Sequence, residues 1–404
     1  MISIFLFFTG LTCYVALYKK NQDKISPGGM FCFLWFSTAA LASIEMFKNS
    51  YLQVEWELET YVVIVLSGLI FFFTYYVMTT KFKPIVCDKL RFSFQYKIVF
   101  DIFVVLSIIA TVYRFFDEGI NLEKLWTFQD EFDAKTNLAE ATPFIFYFEM
   151  LTPYLALAGL FEFYFNDYCK PARRIWLFFY VLYALFVYSL VLNISRGTAL
   201  VIILGFIFIR SRIKQYTWLN IVATLTALIA FLIGSAFIRM NSESFAMSYM
   251  GESVLEQAFS SIYTYVAFNF ENLNQLVAHN IEPTYIYYSM KFLLWPFLKD
   301  DYLANKMGLY DFDTLYFNAR TYLYAFYHDL GLIGCLLYTF LISLFISLIE
   351  LKAKSYQSFY LPLMALQKPI FFAFFGNYFF GELILLVPIL FLFFLAYLMA
   401  LAHK

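Results

Sequence analysis

The sequence predicts an all-α integral membrane protein that crosses the bilayer about eleven times and carries one large extracytoplasmic segment. Three observations point there. Hydrophobic residues make up 62% of the chain and charged residues 14%, and the mean hydropathy is +0.70, far from a soluble domain. The apolar residues gather into continuous runs of about 17–25 rather than alternating with period two, which excludes a β-barrel and leaves helices to satisfy the backbone amides in lipid. Lysine and arginine occupy every second short loop.

The first run, 2–18, ends in Lys19-Lys20 rather than in a small-residue cleavage site, so it reads as a retained span. Lys24 extends that basic loop. Runs 28–47 and 60–80 follow, and the second is closed by Lys81, Lys83, Lys89, Arg91 and Lys97. Runs 98–116 and 142–165 flank the acidic stretch Asp117–Glu140, after which come Lys170, Arg173 and Arg174. Runs 175–192 and 197–210 have hardly any loop between them, and Arg210, Arg212 and Lys214 close the second. Run 217–238 leads into the large segment 239–326. Beyond it lie run 327–349 with Lys352 and Lys354 behind it, then runs 359–378 and 382–401. Basic loops stay in the cytoplasm, so the N-terminus faces out and the C-terminal His403-Lys404 faces in. The chain thus divides into spans 1–238, an outward segment 239–326 and spans 327–404.

Cys13, Cys32, Cys87, Cys169 and Cys335 fall in spans or cytoplasmic loops, so none is placed for an extracytoplasmic disulfide. Three histidines (His279, His328, His403) and no CxxC predict no metal site. Neither a G-x-x-x-x-G-K-[ST] loop nor a G-x-G-x-x-G turn is present, so no nucleotide cofactor is expected and any chemistry runs on an already activated substrate. The net charge of −1 says nothing about partners, and no nucleic acid is expected. Three charges lie inside spans: Asp101, Glu149 and Lys368, the last in Gln367-Lys368-Pro369 beside an expected kink. Lone charges are disfavoured there, so a Lys368–Glu149 pair is the simplest expectation; the alternative is that Lys368 reaches a lipid phosphate.

The outward segment is not a polar linker. Ser253–Phe268 and Tyr285–Leu298 read as amphipathic, aromatic helices lying in or dipping into the interface. Tyr285, Tyr287, Tyr288, Phe292, Trp295 and Phe297 fit an interfacial belt or, alternatively, faces on which sugar rings stack. Asp300, Asp301, Asp311 and Asp313 form a solvated acidic loop or meet hydroxyl groups; they lack the spacing of a calcium loop.

Arg196 stands in Ser195-Arg196-Gly197 between the apolar runs Ile175–Leu192 and Thr198–Ile209. A charge at mid-bilayer costs about 2.5–3.5 kcal/mol, so a boundary arginine either snorkels or serves a ligand. Arg239 and Arg320 are expected on the same side, each at a helix boundary. Three permanent cations suit an anionic ligand, and the guanidinium fork fits phosphate best. At helical spacing Arg320, Tyr324, Tyr327 and Gly331 share a face. Gly331 and Gly334 are expected to let that helix approach a neighbour closely.

The series Asn193-Ile194-Ser195-Arg196-Gly197-Thr198, a large outward segment, and Thr321-(x)6-His328-Asp329-Leu330-Gly331-(x)2-Gly334 resembles the O-antigen polymerases. These Wzy-type oligosaccharide repeat-unit polymerases are related in architecture to the O-antigen ligases. The Arg-x10-Gly spacing from Arg320 to Gly331 is similar to arginine motifs of some members, whereas Arg239 to Gly251 is one residue longer. The layout covers the whole chain and the motifs about 30 residues. The resemblance implies a GT-C-like helical architecture and a metal-independent glycosyltransferase at the outer face of a bacterial inner membrane. Its substrates would be glycan repeat units on undecaprenyl pyrophosphate, with membrane lipid and a chain-length regulator as partners. Arg196, Arg239 and Arg320 would hold the pyrophosphate; Asp329, His328 or Glu252 would serve as base; Tyr324 and Tyr327 would contact glycan. His328 and His279-Asn280 keep a ligase reading open. A lipid-linked glycan flippase would also present cations to pyrophosphate, but the sequence shows no internal repeat.

Overall fold

The structure, a computed structural model, describes residues 1–46, 53–81, 92–117, 143–166, 169–192, 196–239, 254–279, 283–286, 288–290, 320–376, 378–379 and 383–400. Among them every regular element is helical. In chain order these are α1 (Ile2–Asn21), α2 (Pro27–Ala42), α3 (Leu58–Met78), α4 (Phe94–Asp117), α5 (Pro143–Met150), α6 (Thr152–Phe165) and α7 (Pro171–Leu182), the last running on as π-helical turns through Tyr183–Leu192. They continue as α8 (Arg196–Ile213), α9 (Trp218–Arg239), α10 (Val254–Ala278), α11 (Tyr322–Ser355), a 3₁₀ turn (Gln357–Phe359), α12 (Tyr360–Phe371) and α13 (Leu383–Ala400). Five stretches are long and apolar enough to cross a membrane unaided: Ile2–Asn21, Leu58–Met78, Phe94–Tyr113, Pro171–Ser189 and Tyr322–Ser355. Pro27–Ala42, Trp218–Ala227 and Leu386–Met399 are apolar but shorter.

Several boundaries differ from the apolar runs, each for a local reason. Run 142–165 is split at Leu151, with Pro153 inside the first turn of α6. Run 359–378 stops at Phe371, two residues past Pro369. The helix expected over 327–349 starts earlier, at Tyr322, because Tyr322 is buried and its amide donates to the Ala373 carbonyl at 2.9 Å. The helix expected over 253–268 runs on to Ala278. At Tyr285–Leu298 the described residues form a turn, closed by Met290 N–H on the Ile286 carbonyl at 3.1 Å; those beyond Met290 lie outside the described set.

The helices are turned inside out relative to a soluble protein. Along α11, Ile333, Leu337, Phe340, Leu341, Phe345 and Leu348 are exposed, whereas Thr339, Ser343, Ser347 and Glu350 are buried. A contiguous exposed apolar stripe is a liability in water and the expected outer face in lipid, with polar residues binding helix to helix inside. Ser343 Oγ donates to the Phe71 carbonyl at 2.9 Å, and Tyr75 OH donates to Glu350. The molecule reads as a multi-pass membrane protein.

The chain divides into two compact units. Unit 1 comprises Met1–Lys83, Phe245–Leu351 and Pro369–Leu386; unit 2 comprises Pro84–Ser244, Lys352–Lys368 and Val387–Lys404. In unit 1, α1 and α2 form a close hairpin. Ser26 caps α2 by accepting from Gly29 N–H at 3.2 Å, and Pro27 occupies its first position. Gly10 permits the approach, since a Cβ there would lie 2.7 Å from Phe36 Cβ. Phe31 stacks on Phe71 at 3.7 Å between centroids, and Trp35 meets Tyr322 and Phe270.

Helix α10 lies against α2 and α3 rather than on a surface. Its Asn269, Glu271, Asn272 and Asn274 are buried. The chain leading into α3 supplies partners: Val54 N–H donates to Glu271 at 3.3 Å, Glu57 N–H to Asn274 at 2.9 Å, and Thr60 Oγ1 to the same Asn274 oxygen at 2.8 Å. Burial lifts the Glu271 carboxyl to about 7, against the hydrogen bonds from Val54 and Gln275 that pull it down.

In unit 2, Arg173 at the start of α7 joins three helices. Its fork grips Glu162 of α6 at 2.5 and 2.9 Å, and Nη1 reaches Asp101 of α4 at 2.9 Å. Asp101, a charge inside a predicted span, is thereby accounted for. Glu149 is buried on α5, and Lys368 lies half-buried on α12 next to Pro369. The π-helical turns place Ser189 Oγ 2.7 Å from the Ala184 carbonyl, five residues back, just ahead of the Asn193–Ser195 motif.

Candidate functional site

The site is built where α11 begins and breaks. Arg320 precedes the first turn of α11, whose entry is fixed by Tyr322: the ring is fully buried against Trp35, and its hydroxyl lies 2.9 Å from Thr339 Oγ1. Arg320 is therefore held at a helix N-terminus, where the backbone dipoles add positive potential. Its guanidinium carbon lies 4.6 Å from the centre of the Tyr324 ring, and Nη1 donates to Tyr288 OH. Tyr288 in turn stacks on His328 at 4.4 Å and 20°. One guanidinium thus rests on a wall of two phenol rings, with an imidazole behind them.

Eight residues on, α11 breaks. Leu330 (φ −140°, ψ 18°) and Gly331 (φ 60°, ψ −145°) leave helical geometry. Gly331 is in a region that side chains rarely occupy, and nothing lies within 4 Å of where its Cβ would be. Its part is conformational, not the close helix packing expected. Gly334 makes the close approach, but to its own chain: a Cβ there would lie 2.3 Å from the Phe326 carbonyl oxygen.

The break meets the turn containing Thr284, Tyr288 and Ser289. Asp329 is fully buried, and its carboxylate accepts from Tyr288 N–H at 2.7 Å, Ser289 N–H at 2.9 Å and Thr284 Oγ1 at 2.7 Å. Thr284 N–H donates to the His328 carbonyl at 3.1 Å. The hydroxyl of Thr284 also lies 3.2 Å from His328 Nδ1. A threonine has one hydroxyl proton, and the short bond to a carboxylate claims it. His328 Nδ1–H must then be the donor to Thr284, which leaves Nε2 as the basic nitrogen of the ring. Asp329, Thr284 and His328 form a chain that fixes the tautomer of the imidazole.

The structure brings together Arg320, Tyr324, His328 and Asp329 of the residues singled out in the sequence. Tyr324 is 1% exposed and supports the guanidinium with its ring face. Tyr327 is set apart, donating to Glu59 of α3 at 2.8 Å. Arg196 opens α8 and Arg239 closes α9, both in unit 2; their side chains lie outside the described residues. Glu252 also lies outside them, as do Tyr287, Phe292, Trp295, Phe297 and the acidic loop 300–313. Thr284 and Ser289 were not legible as site residues, and Tyr288 was legible only as one ring of an aromatic stretch. No periodicity links them to a helix some forty residues later. Among the described residues no cluster of His, Cys, Asp and Glu could hold a metal ion. Comparison of the chain with protein-family models, with curated proteins and with solved structures finds no match in any of the three.

Proposed function

We propose that this chain is a glycosyltransferase of a bacterial inner membrane that joins oligosaccharide repeat units carried on undecaprenyl pyrophosphate, making O-antigen or a similar surface polysaccharide. In this proposal the eleven-span topology holds, with the N-terminus periplasmic, the C-terminus cytoplasmic and segment 239–326 outside. The observation that carries the reading is the juxtaposition of Arg320, at a helix N-terminus, with an imidazole whose tautomer is fixed by Thr284 and Asp329. A cation suits a departing pyrophosphate and an oriented base suits an attacking hydroxyl.

The reaction balances without a cofactor. A hydroxyl of the acceptor unit attacks the anomeric carbon of the donor chain; the bond from that carbon to the phosphate oxygen breaks, and lipid pyrophosphate leaves with the electron pair. His328 Nε2 takes the hydroxyl proton. Arg320 stabilises the charge developing on the leaving group. Asp329, whose oxygens hold two amides and a hydroxyl, serves as the anchor. Arg196 and Arg239 are assigned as further phosphate contacts from their positions in the sequence alone. A chain-length regulator would be the protein partner. The ligase reading is kept alive by the same His328, since it needs an oriented base as well; it differs in the acceptor.

The test is reconstitution of the full chain in proteoliposomes with an undecaprenyl-pyrophosphate-linked oligosaccharide. Polymer and free lipid pyrophosphate should appear together, and Arg320→Ala should slow both by about 10²–10³-fold. Thr284→Ser should retain most activity and Thr284→Val should not. Wild-type rates from Arg320→Ala would overturn the proposal.

A further inference from the structure

Unit 2 holds an apolar groove of about 390 Å³ between α6, α7 and α8, in the size range of small-molecule sites. Leu160 and Tyr164 of α6, Leu177 and Val181 of α7, and Ile203 and Phe206 of α8 are among its lining residues. Phe206 is 38% exposed, so the groove opens sideways rather than forming part of a sealed core.

The lining stripes end in arginine. On α7, Arg174 lies three and seven residues before Leu177 and Val181, on the same helical face. On α8, Arg210 lies four and seven residues after Phe206 and Ile203, again on one face. Helix α7 starts at this edge and α8 finishes at it, so both arginines fall at the same end of the groove. The positive end of the α7 dipole points there too. Tyr164 of the groove and Arg210 both act on the phenol of Tyr216 in the loop after α8: burial raises that phenol's pKa and the Arg210 charge partly offsets the rise. From Arg174 to the far end of the α7 stripe the groove runs roughly 15 Å along the helix, about half the hydrocarbon thickness.

A one-leaflet apolar slot with two cations at its mouth has the shape of a lipid in profile. We propose that this groove binds one acyl chain of an anionic glycerophospholipid, with Arg174 and Arg210 on its phosphate. In the topology proposed above, the arginine end is the cytoplasmic edge. Basic pockets between spans on that side suit anionic head groups, and anionic lipids populate that leaflet. The inference concerns the membrane lipid and does not depend on the glycan chemistry.

The test uses the full chain in nanodiscs of equal phosphatidylglycerol and phosphatidylcholine, followed by native mass spectrometry of the lipid retained after detergent washing. Phosphatidylglycerol should be retained in preference, and Arg174→Gln and Arg210→Gln should each cut that preference about fivefold. Val181→Trp, which fills the groove, should remove the retained lipid. Since that variant risks misfolding, the two arginine variants, which change only surface charge, carry the decision. Equal retention of the two lipids by the wild type would overturn the proposal, as would an undiminished preference in the Arg174→Gln/Arg210→Gln double variant. Displacement of phosphatidylglycerol by equimolar undecaprenyl phosphate would overturn the choice of occupant.

Discussion

Arg173, Glu162 and Asp101 show how unequal the members of one charged cluster are. Glu162 is wholly buried, and the side chain of Asp101 is 44% exposed. Removing Arg173 leaves the Glu162 charge buried and uncompensated, which costs about 3–5 kcal/mol in comparable pairs. Removing the Asp101 charge loses a partly screened contact worth no more than about 1 kcal/mol. Arg173→Gln should therefore abolish stable insertion or lower the unfolding temperature steeply, while Asp101→Asn should be nearly neutral. Thermal unfolding of the purified variants in detergent checks the order, and equal effects would contradict it. At this scale the sequence is a partial guide. Asp101 was recognisable as an intramembrane charge, yet its partner was not, because Arg173 reads equally well as one of several basic loop residues. His328 and Asp329 were recognisable as candidates, but the tautomer depends on Thr284, which carries no signal of its own.

Single helices follow from apolar runs, and their interruptions do not. The break at Leu330–Gly331 lies inside a run that is continuously apolar, and the glycine there fits helix packing as well as a turn. What decides is Asp329, whose carboxylate claims two amides from a turn forty residues earlier. Alanine at Gly331 would have to adopt φ near +60°, a strain of about 1–3 kcal/mol. Gly331→Ala should lower thermal stability accordingly and disturb the site, and an unchanged melting temperature together with unchanged activity would count against the break. Helix α10 was missed in length and setting for a related reason. Its asparagines look like a solvated face until residues 53–60 are seen to supply partners. The raised Glu271 carboxyl gives a signed prediction. A folded-state pKa near 7 against 4.5 means that the folded chain holds a proton the unfolded chain has lost between those values. Stability is full below about pH 4.5 and declines as pH rises through 7, by up to about 3 kcal/mol. Glu271→Gln should flatten that decline when unfolding is followed from pH 5 to pH 8.

The whole molecule is a multi-pass helical protein whose outward-facing side chains are apolar and whose buried ones include many polar groups. That much was legible from composition and charge alternation, because lipid imposes the same rule on every span. Function was less legible. Arg196, Arg239 and Arg320 marked an anion site in the sequence; the geometry around Arg320 adds an oriented imidazole, which turns a binding site into one suited to transfer. The most direct test is a gel of surface polysaccharide from a strain lacking this gene, with and without complementation. Core bearing a single repeat unit, restored to a ladder by the wild-type chain and not by Arg320→Ala, is the expected result. Bare core with long lipid-linked polymer accumulating behind it would contradict the polymerase and identify a ligase instead; an unchanged ladder would contradict both.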